Sequence, residues 1–298
     1  MTFFHRKINR VLFFLTLYLG VTGCTFTQVI YDNADWFLLV EINSQFDLTS
    51  EQEKFLKPRL KDWISQQKEV QTPKIISLLN QSAVISKQGL TPSNLAHLSE
   101  QIEQIKMFMI RTLAPNTALL IQMLTPMQFD HHSKKLEDSN EELANLVKDK
   151  EDFEENLQDY IDDRIDNLEE WFGPLTKEQE SRIAQWLTRP RSHFVTSLEF
   201  RRSMQRIWLT QLKKIKARPE LESFIIHWGK DKSGYMTVEE KNFQQQRRSN
   251  WQQFALTFDK SLSSKQRAFL KERIEYWQDF FLSNRPPNTG TASPSTRQ

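Results

Sequence analysis

Apolar residues recur along most of this chain at intervals of three and four, the spacing that lines side chains up on one face of an α-helix. Leu56, Leu60 and Trp63 make one such stripe, and Leu270, Ile274 and Trp277 make another. The pattern predicts helices near 32–45, 49–70 with a kink at Pro58, 73–87, 92–112 and 115–123. A long helix is then expected from about 126 to 172, ended by Gly173-Pro174. Others follow near 176–188, 191–217, 220–228, 236–259 and 263–282. With only 7 glycines in 298 residues, the composition agrees. The expected fold is all-α, an irregular multi-helix bundle of capped amphipathic helices with one long helix. One domain over 32–283 is expected, with any division into two subdomains falling near residue 173. Residues 284–298, rich in Pro, Ser, Thr and Asn, read as a disordered tail.

The helix starts repeat. Leu48-Thr49-Ser50-Glu51-Gln52, Leu124-Thr125-Pro126-Met127-Gln128 and Leu175-Thr176-Lys177-Glu178-Gln179 share the form Leu-Thr-x-x-Gln. Leu262-Ser263-Ser264-Lys265-Gln266 fits with Ser for Thr, and Leu90-Thr91-Pro92-Ser93-Asn94 is a looser copy. Such a motif is a capping box. The hydroxyl accepts a free backbone N–H of the first turn, and the residue three positions on reaches back to the cap's own N–H. Pro92 and Pro126 stand where proline suits a helix, at its first position. The first and last full copies agree further: Phe55, Leu56, Arg59, Leu60 and Trp63 match Phe269, Leu270, Arg273, Ile274 and Trp277 in offset. Irregular spacing between copies argues against a strict solenoid.

The N-terminus has the parts of an export signal. His5, Arg6, Lys7 and Arg10 precede an apolar run from Val11 to Leu19, too short to span a bilayer. Val21-Thr22-Gly23-Cys24 resembles a bacterial lipobox, and Cys24 is the sole cysteine. The resemblance implies that residues 1–23 are a signal peptide and that the mature chain starts at a lipidated Cys24. It also implies an outer-membrane, periplasm-facing location, because Thr25 stands where Asp would favour inner-membrane retention. Residues 24–31 would then be a tether, holding Tyr31 and Trp36 near the bilayer as candidate interfacial residues.

Charge changes the picture little. The chain has 40 basic and 38 acidic residues; losing Arg6, Lys7 and Arg10 with the signal leaves a net −1. That balance gives no case for nucleic-acid binding. With Cys24 lipidated, no disulfide can form within the chain. Locally the balance is uneven. Residues 149–170 hold eleven acidic residues, and 189–218 hold nine basic ones against Glu199 alone. Two helices of opposite sign are expected to lie antiparallel and screen each other. Otherwise Arg201, Arg202 and Arg206 would offer a binding face to anionic lipid or an acidic partner.

No enzyme signature emerges. The histidines show no metal-protease spacing, no Ser lies in a Gly-x-Ser-x-Gly turn, and no Gly-rich loop could cradle phosphate. Gly229 to Glu240 mimics a calcium loop at several positions but has Gly229 where the first ligand, Asp, is needed. His131-His132 reads as the solvated first part of a helix. No catalytic residue, metal or cofactor is therefore expected.

The lipobox, the run Tyr31-Asp32-Asn33-Ala34-Asp35-Trp36 and the Leu-Thr-x-x-Gln helices together resemble a family of uncharacterised proteobacterial lipoproteins. The motif alone, at Leu48–Gln52, Leu124–Gln128 and Leu175–Gln179, resembles that of the much smaller Spy and CpxP periplasmic chaperones. The family resemblance implies a helical lipoprotein and no activity. The absence of catalytic signatures, the long amphipathic helices and the abundant Phe and Trp point to a protein that binds other envelope proteins, as a chaperone-like holder or assembly factor. The alternatives are a carboxylate-dependent envelope hydrolase or transferase, and a lipid-binding or structural lipoprotein.

Overall fold

A computed structural model describes residues 24–284. The expected signal peptide and most of the expected tail lie outside the described residues. Within them are twelve α-helices, one 3₁₀ turn and no strand. The helices are α1 (Cys24–Asp32), α2 (Ala34–Phe46), α3 (Ser50–Gln88), α4 (Pro92–Gln122), α5 (Pro126–Asp138) and α6 (Glu141–Lys148). They continue as α7 (Phe153–Phe172), α8 (Lys177–Leu187), α9 (Arg191–Lys214), α10 (Arg218–Lys230), α11 (Val238–Ser261) and α12 (Ser264–Ser283), with the 3₁₀ turn at Ser233–Tyr235.

The all-α reading holds, but several boundaries move. The stretch expected as a tether is helix α1. The 39-residue α3 runs through Pro58 and Pro73, and α4 runs through Pro115. Each proline removes the bond to the carbonyl four residues back. Those carbonyls belong to Lys54, Glu69 and Arg111, all exposed, so water can replace the lost donor.

The long helix expected over 126–172 is three helices. The first break is at Ser139-Asn140. There the fully buried Asn140 exchanges hydrogen bonds with Gln205 (Nδ2 to Oε1 2.8 Å, Nε2 to Oδ1 3.2 Å). Gln205 also donates to Leu136 O, a carbonyl freed by the break. At the second break the Arg191 guanidinium donates to Val147 O, capping the end of α6. Apolar periodicity continues across both breaks, which is why it suggests one helix.

Every Leu-Thr-x-x-Gln copy starts a helix with a complete capping box, and so does Thr237 with Glu240, a sixth box inside the calcium-loop mimic. Four of the boxes do more, because they clasp one another in pairs. Gln52 Nε2 donates to Gln128 Oε1 (3.1 Å) and to Met123 O (2.8 Å), and Gln128 Nε2 donates to Gln52 Oε1 (2.7 Å) and Asp47 O (2.9 Å). Gln179 and Gln266 repeat the arrangement. Their amides donate to each other (3.0 and 2.8 Å), to Ser261 O (2.9 Å) and to Pro174 O (3.0 Å). Met123, Asp47, Ser261 and Pro174 are each the residue before a motif leucine. The oxygen of each glutamine also accepts the N–H of its own cap, so all the hydrogen-bonding capacity of four buried amides is used. Asn94, one methylene shorter, completes its box without a partner amide.

The first clasp joins the α2–α3 corner to the α4–α5 corner; the second joins the α7–α8 corner to the α11–α12 corner. The α3–α4 corner docks beside the second clasp, where Leu90 N donates to Asp259 Oδ2 (2.8 Å) and Arg267 donates to Ser86 O and Asp259. The clasps therefore sit at opposite ends of α3, roughly 58 Å apart at 1.5 Å per residue. Gly173, at φ 72°, caps α7 against the ring of Phe269, which leaves no easy room for a side chain. Four apolar clusters fill the spaces between helices, and elements on either side of Gly173 interleave: α10 packs on α4 and α12 on α3.

Gln52→Ala removes a cap acceptor and leaves Met123 O and the Gln128 amide short of buried partners. At about 1–3 kcal/mol for such groups, it should destabilise by about 2–4 kcal/mol in urea melts of the full chain. Asn94→Ala should cost clearly less, and Gln52→Ala with Gln128→Ala less than the sum of the two. Equal costs for Gln52→Ala and Asn94→Ala would mean the clasp adds nothing to the cap.

Candidate functional site

Among the described residues, a shallow, open cleft of about 650 Å³ lies between the end of α9, α10 and the 3₁₀ turn. Ile215, Pro219, Phe224 and Tyr235 give it an apolar floor, and Ser223 and His227 stand exposed at its edge. Beneath lies a stack of aromatic rings: Trp208 on Phe224 (5.5 Å), Phe224 on Trp228 (5.6 Å) and Trp228 on Tyr235 (5.3 Å). The Lys232 ammonium lies 5.3 Å from the Trp228 ring centroid.

The local sequence explains this wall. Phe224 and Trp228 are four residues apart on α10, so both rings leave the same helical face. The 3₁₀ turn after Asp231 folds Tyr235 back onto them, held by Asp231 accepting from Ser233 N and Oγ (both 2.8 Å). On the opposite side α10 lies close to α4: a Cβ at Gly229 would come within 2.6 Å of Ile110 Cδ1. Leu221 and Leu212 are buried in the cluster that joins α10 to α4 and α5. The cleft thus presents Phe224 and Tyr235, backed by the Trp208 and Trp228 rings, an apolar surface suited to an apolar or aromatic side chain. Glu220 contributes the carboxylate among its lining residues. No group of three or more His, Cys, Asp or Glu among the described residues is placed to hold a metal ion.

The residues singled out in the sequence lie elsewhere and apart. Cys24 opens α1. The Tyr31 ring packs edge-on against Phe280 (5.3 Å) and Phe281 (6.2 Å), Lys68 Nζ lies 4.1 Å from its centroid, and burial raises the pKa of its hydroxyl. Tyr31 is therefore part of the packing between α1, α3 and α12. Trp36 is 52% exposed. Arg202 Nε donates to both carboxylate oxygens of Glu137 (3.1 Å each), and hydrogen bonding from Arg202 holds the Glu137 carboxyl below its usual range. Arg201 reaches Ser139 O (3.4 Å), and Arg206 is exposed.

The acidic and basic stretches meet through rings, not charges. Phe153 and Tyr160 of α7 pack on Phe194 of α9 (5.9 and 5.8 Å). The ion pairs from α9 go instead to Glu137 and Asp130 on α5, and Arg164, inside the acidic helix, pairs with Glu142 on α6. The expected mutual screening of 149–170 and 189–218 is thus absent: Arg202 and Lys213 of the basic helix pair with α5, and among the described residues no carboxylate of 149–170 forms an ion pair.

His132 is also not where its sequence neighbourhood suggests. It is buried, stacked on Phe46 at 4.2 Å, and burial pushes its pKa down to about 4. His131 contacts Ser44 O at 3.0 Å. No sequence motif marks the aromatic cleft, whose signal is the density of rings at 208, 224, 228 and 235.

A family model described as a family of unknown function (DUF6279) matches residues 44–226, and the chain belongs to that family. The match takes in the first clasp, all of α9 and most of α10. No curated protein and no solved structure matches the chain.

Two measurements test the electrostatics. Arg202→Glu should cost at most about 1 kcal/mol, the scale of an exposed pair. Adding Glu137→Arg should restore the loss, whereas adding Asp159→Lys, Asp162→Lys and Asp166→Lys should not. For His132 the folded pKa lies below the unfolded value, so its contribution is fully present above about 6.5 and is lost as pH falls towards 4. The full loss is about 3 kcal/mol by linkage. Urea midpoints at pH 7 and 5.5 should differ in the wild type and differ less in His132→Phe. Glu41, whose pKa burial raises, acts in the opposite sense as pH falls through its folded pKa.

Proposed function

We propose that this protein is a lipid-anchored, periplasm-facing lipoprotein of the outer membrane. It binds other envelope proteins, without catalysis, by taking apolar side chains into the aromatic cleft beside α10. The observation that carries the binding role is the cleft itself: the rings of Phe224 and Tyr235 line it, packed on Trp228 behind them, with the polar side chains of Gln211, Ser223 and His227 around them. Aromatic anchors flanked by polar groups are the usual make-up of protein-recognition surfaces. The resemblance of Val21-Thr22-Gly23-Cys24 to a lipobox supports the anchor. No helix among the described residues is long and apolar enough to cross a membrane.

The Leu-Thr-x-x-Gln motifs give a chaperone-like role only indirect support. Their glutamines are engaged with one another, so a client would be taken up elsewhere, and the cleft is the candidate surface. An assembly or holding role fits an open cleft that offers apolar area beside polar side chains without enclosing one ligand.

The test uses a photo-crosslinking amino acid placed at Ser223 in the full chain in cells, with Glu154 as the exposed control. Adducts with defined envelope proteins from position 223, absent from 154 and lost in Tyr235→Ala, are expected. Identical adduct patterns at 223 and 154 would remove the cleft from consideration. Labelling with a fatty-acid analogue checks the anchor: Cys24→Ser should abolish incorporation.

A further inference from the structure

The α1–α2 segment carries a stripe of exposed apolar residues, interrupted by Asn33, that no described residue covers. Asn33 N donates to Val29 O (3.1 Å) and Phe37 N to Asn33 O (3.0 Å), so helical bonding carries on across the junction, although Asn33 itself departs from helical dihedrals (φ −109°, ψ 28°). Positions 29, 33, 36 and 40 follow the 4-3-4 spacing that keeps side chains on one face. Val29 is 46% exposed, Trp36 52% and Val40 46%, and Asn33 between them is exposed too. The other face of the same segment is committed. Leu39 is buried against α3 with Leu56 and Leu60, and Tyr31 packs on α12. Leu282, 51% exposed, is brought alongside by the Asn284–Gln28 bonds (2.7 and 3.0 Å).

From this we infer that the Val29–Trp36–Val40 stripe lies in the membrane interface, with α1 and the start of α2 lying along the bilayer surface and Trp36 at the level of the headgroups. The inference rests on the lipid-anchor reading above and fixes what that anchor does to the orientation of the protein. The occupant is chosen by position and charge. Val29 is five residues from Cys24, about 7.5 Å of helix rise, so a lipid at Cys24 would hold the stripe within reach of the same bilayer. No Lys or Arg occurs between Cys24 and Glu53, while Asp32 and Asp35 flank the stripe. Attraction to anionic headgroups therefore cannot supply the binding, and apolar insertion must. Tryptophan is enriched at this depth because one ring can be apolar on its face and donate at its edge.

The experiment exploits the sole cysteine. With its sulfur consumed as a thioether in the lipidated full-length protein, Val40→Cys, Trp36→Cys and Val238→Cys each supply one free thiol for a bimane fluorophore. The proteins are placed in phosphatidylcholine vesicles, plain or with shallow brominated acyl chains, and titrated with iodide. Val238, 66% exposed, serves as the aqueous reference. Probes at 36 and 40 should be quenched at least twofold by the brominated lipid and be several-fold less sensitive to iodide than the probe at 238. Iodide sensitivity at 36 and 40 equal to that at 238, in protein that floats with vesicles, overturns the inference and leaves the anchor standing. Shielding from both quenchers also overturns it, and points to a second copy on the stripe. Failure of the wild-type chain to float with vesicles would remove the anchor reading, and this inference with it.

Discussion

A carboxamide is complementary to itself: its two N–H donors and its oxygen can all be met by another carboxamide and nearby backbone. The fold depends on that property. Each clasping glutamine first closes a capping box, a local act that the sequence around it dictates. Buried against its counterpart, the same amide then ties one helix corner to another 76 or 87 residues away. Glutamate would not serve in both positions, since two carboxylates would face each other with no donor between them. The same exchange of amide bonds joins Asn140 to Gln205 at a helix break and Gln28 to Asn284 where the two ends of the described chain meet. Unpaired, groups like these would be costly inside a protein; paired, they fix geometry.

What the clasps fix is the relation between corners, and the corners set the helices that build the surfaces. The first clasp holds α4 and α5 in place, and α10 leans on α4 through the close approach at Gly229. The aromatic wall of the cleft is then a consequence of α10 having nowhere else to go. At the other end of α3, the second clasp and the Asp259–Arg267 pair return α12 along α3 towards Tyr31. This leaves the opposite side of α1 and α2 bare.

The parts of this fold that are local were legible in the sequence. Thr49, Thr125, Thr176 and Ser263 announce their helices because a capping box is complete within four residues. The stripes at Leu56, Leu60, Trp63 and at Ile274, Trp277 are buried as their spacing requires. What depends on distant partners was not legible. Nothing near Gln52 indicates Gln128, and nothing near Asn140 indicates that Gln205 will hold a break inside an apolar repeat. Prolines 58, 73 and 115 read as kinks or ends because their effect turns on whether the carbonyl four residues back reaches water. His132 reads as solvated beside Asp130 and Ser133, yet Phe46 from another helix covers it. The cleft combines α9, α10 and a turn, and its rings carry no motif.

Four motifs of nearly the same sequence, each able to clasp any other, pose a problem of address. Like four cysteines, they can pair off in more than one way, and the amide exchange itself does not distinguish them. Selection must come from what surrounds each corner: Leu48 among Leu39, Leu56 and Leu120 at the first clasp, Leu175 and Leu262 with Ile183 and Phe258 at the second. The Leu before each cap is therefore the reader of identity as well as a staple. A chain of this design carries its own competing pairings, and the apolar neighbours of each leucine are what keep its landscape directed to one of them.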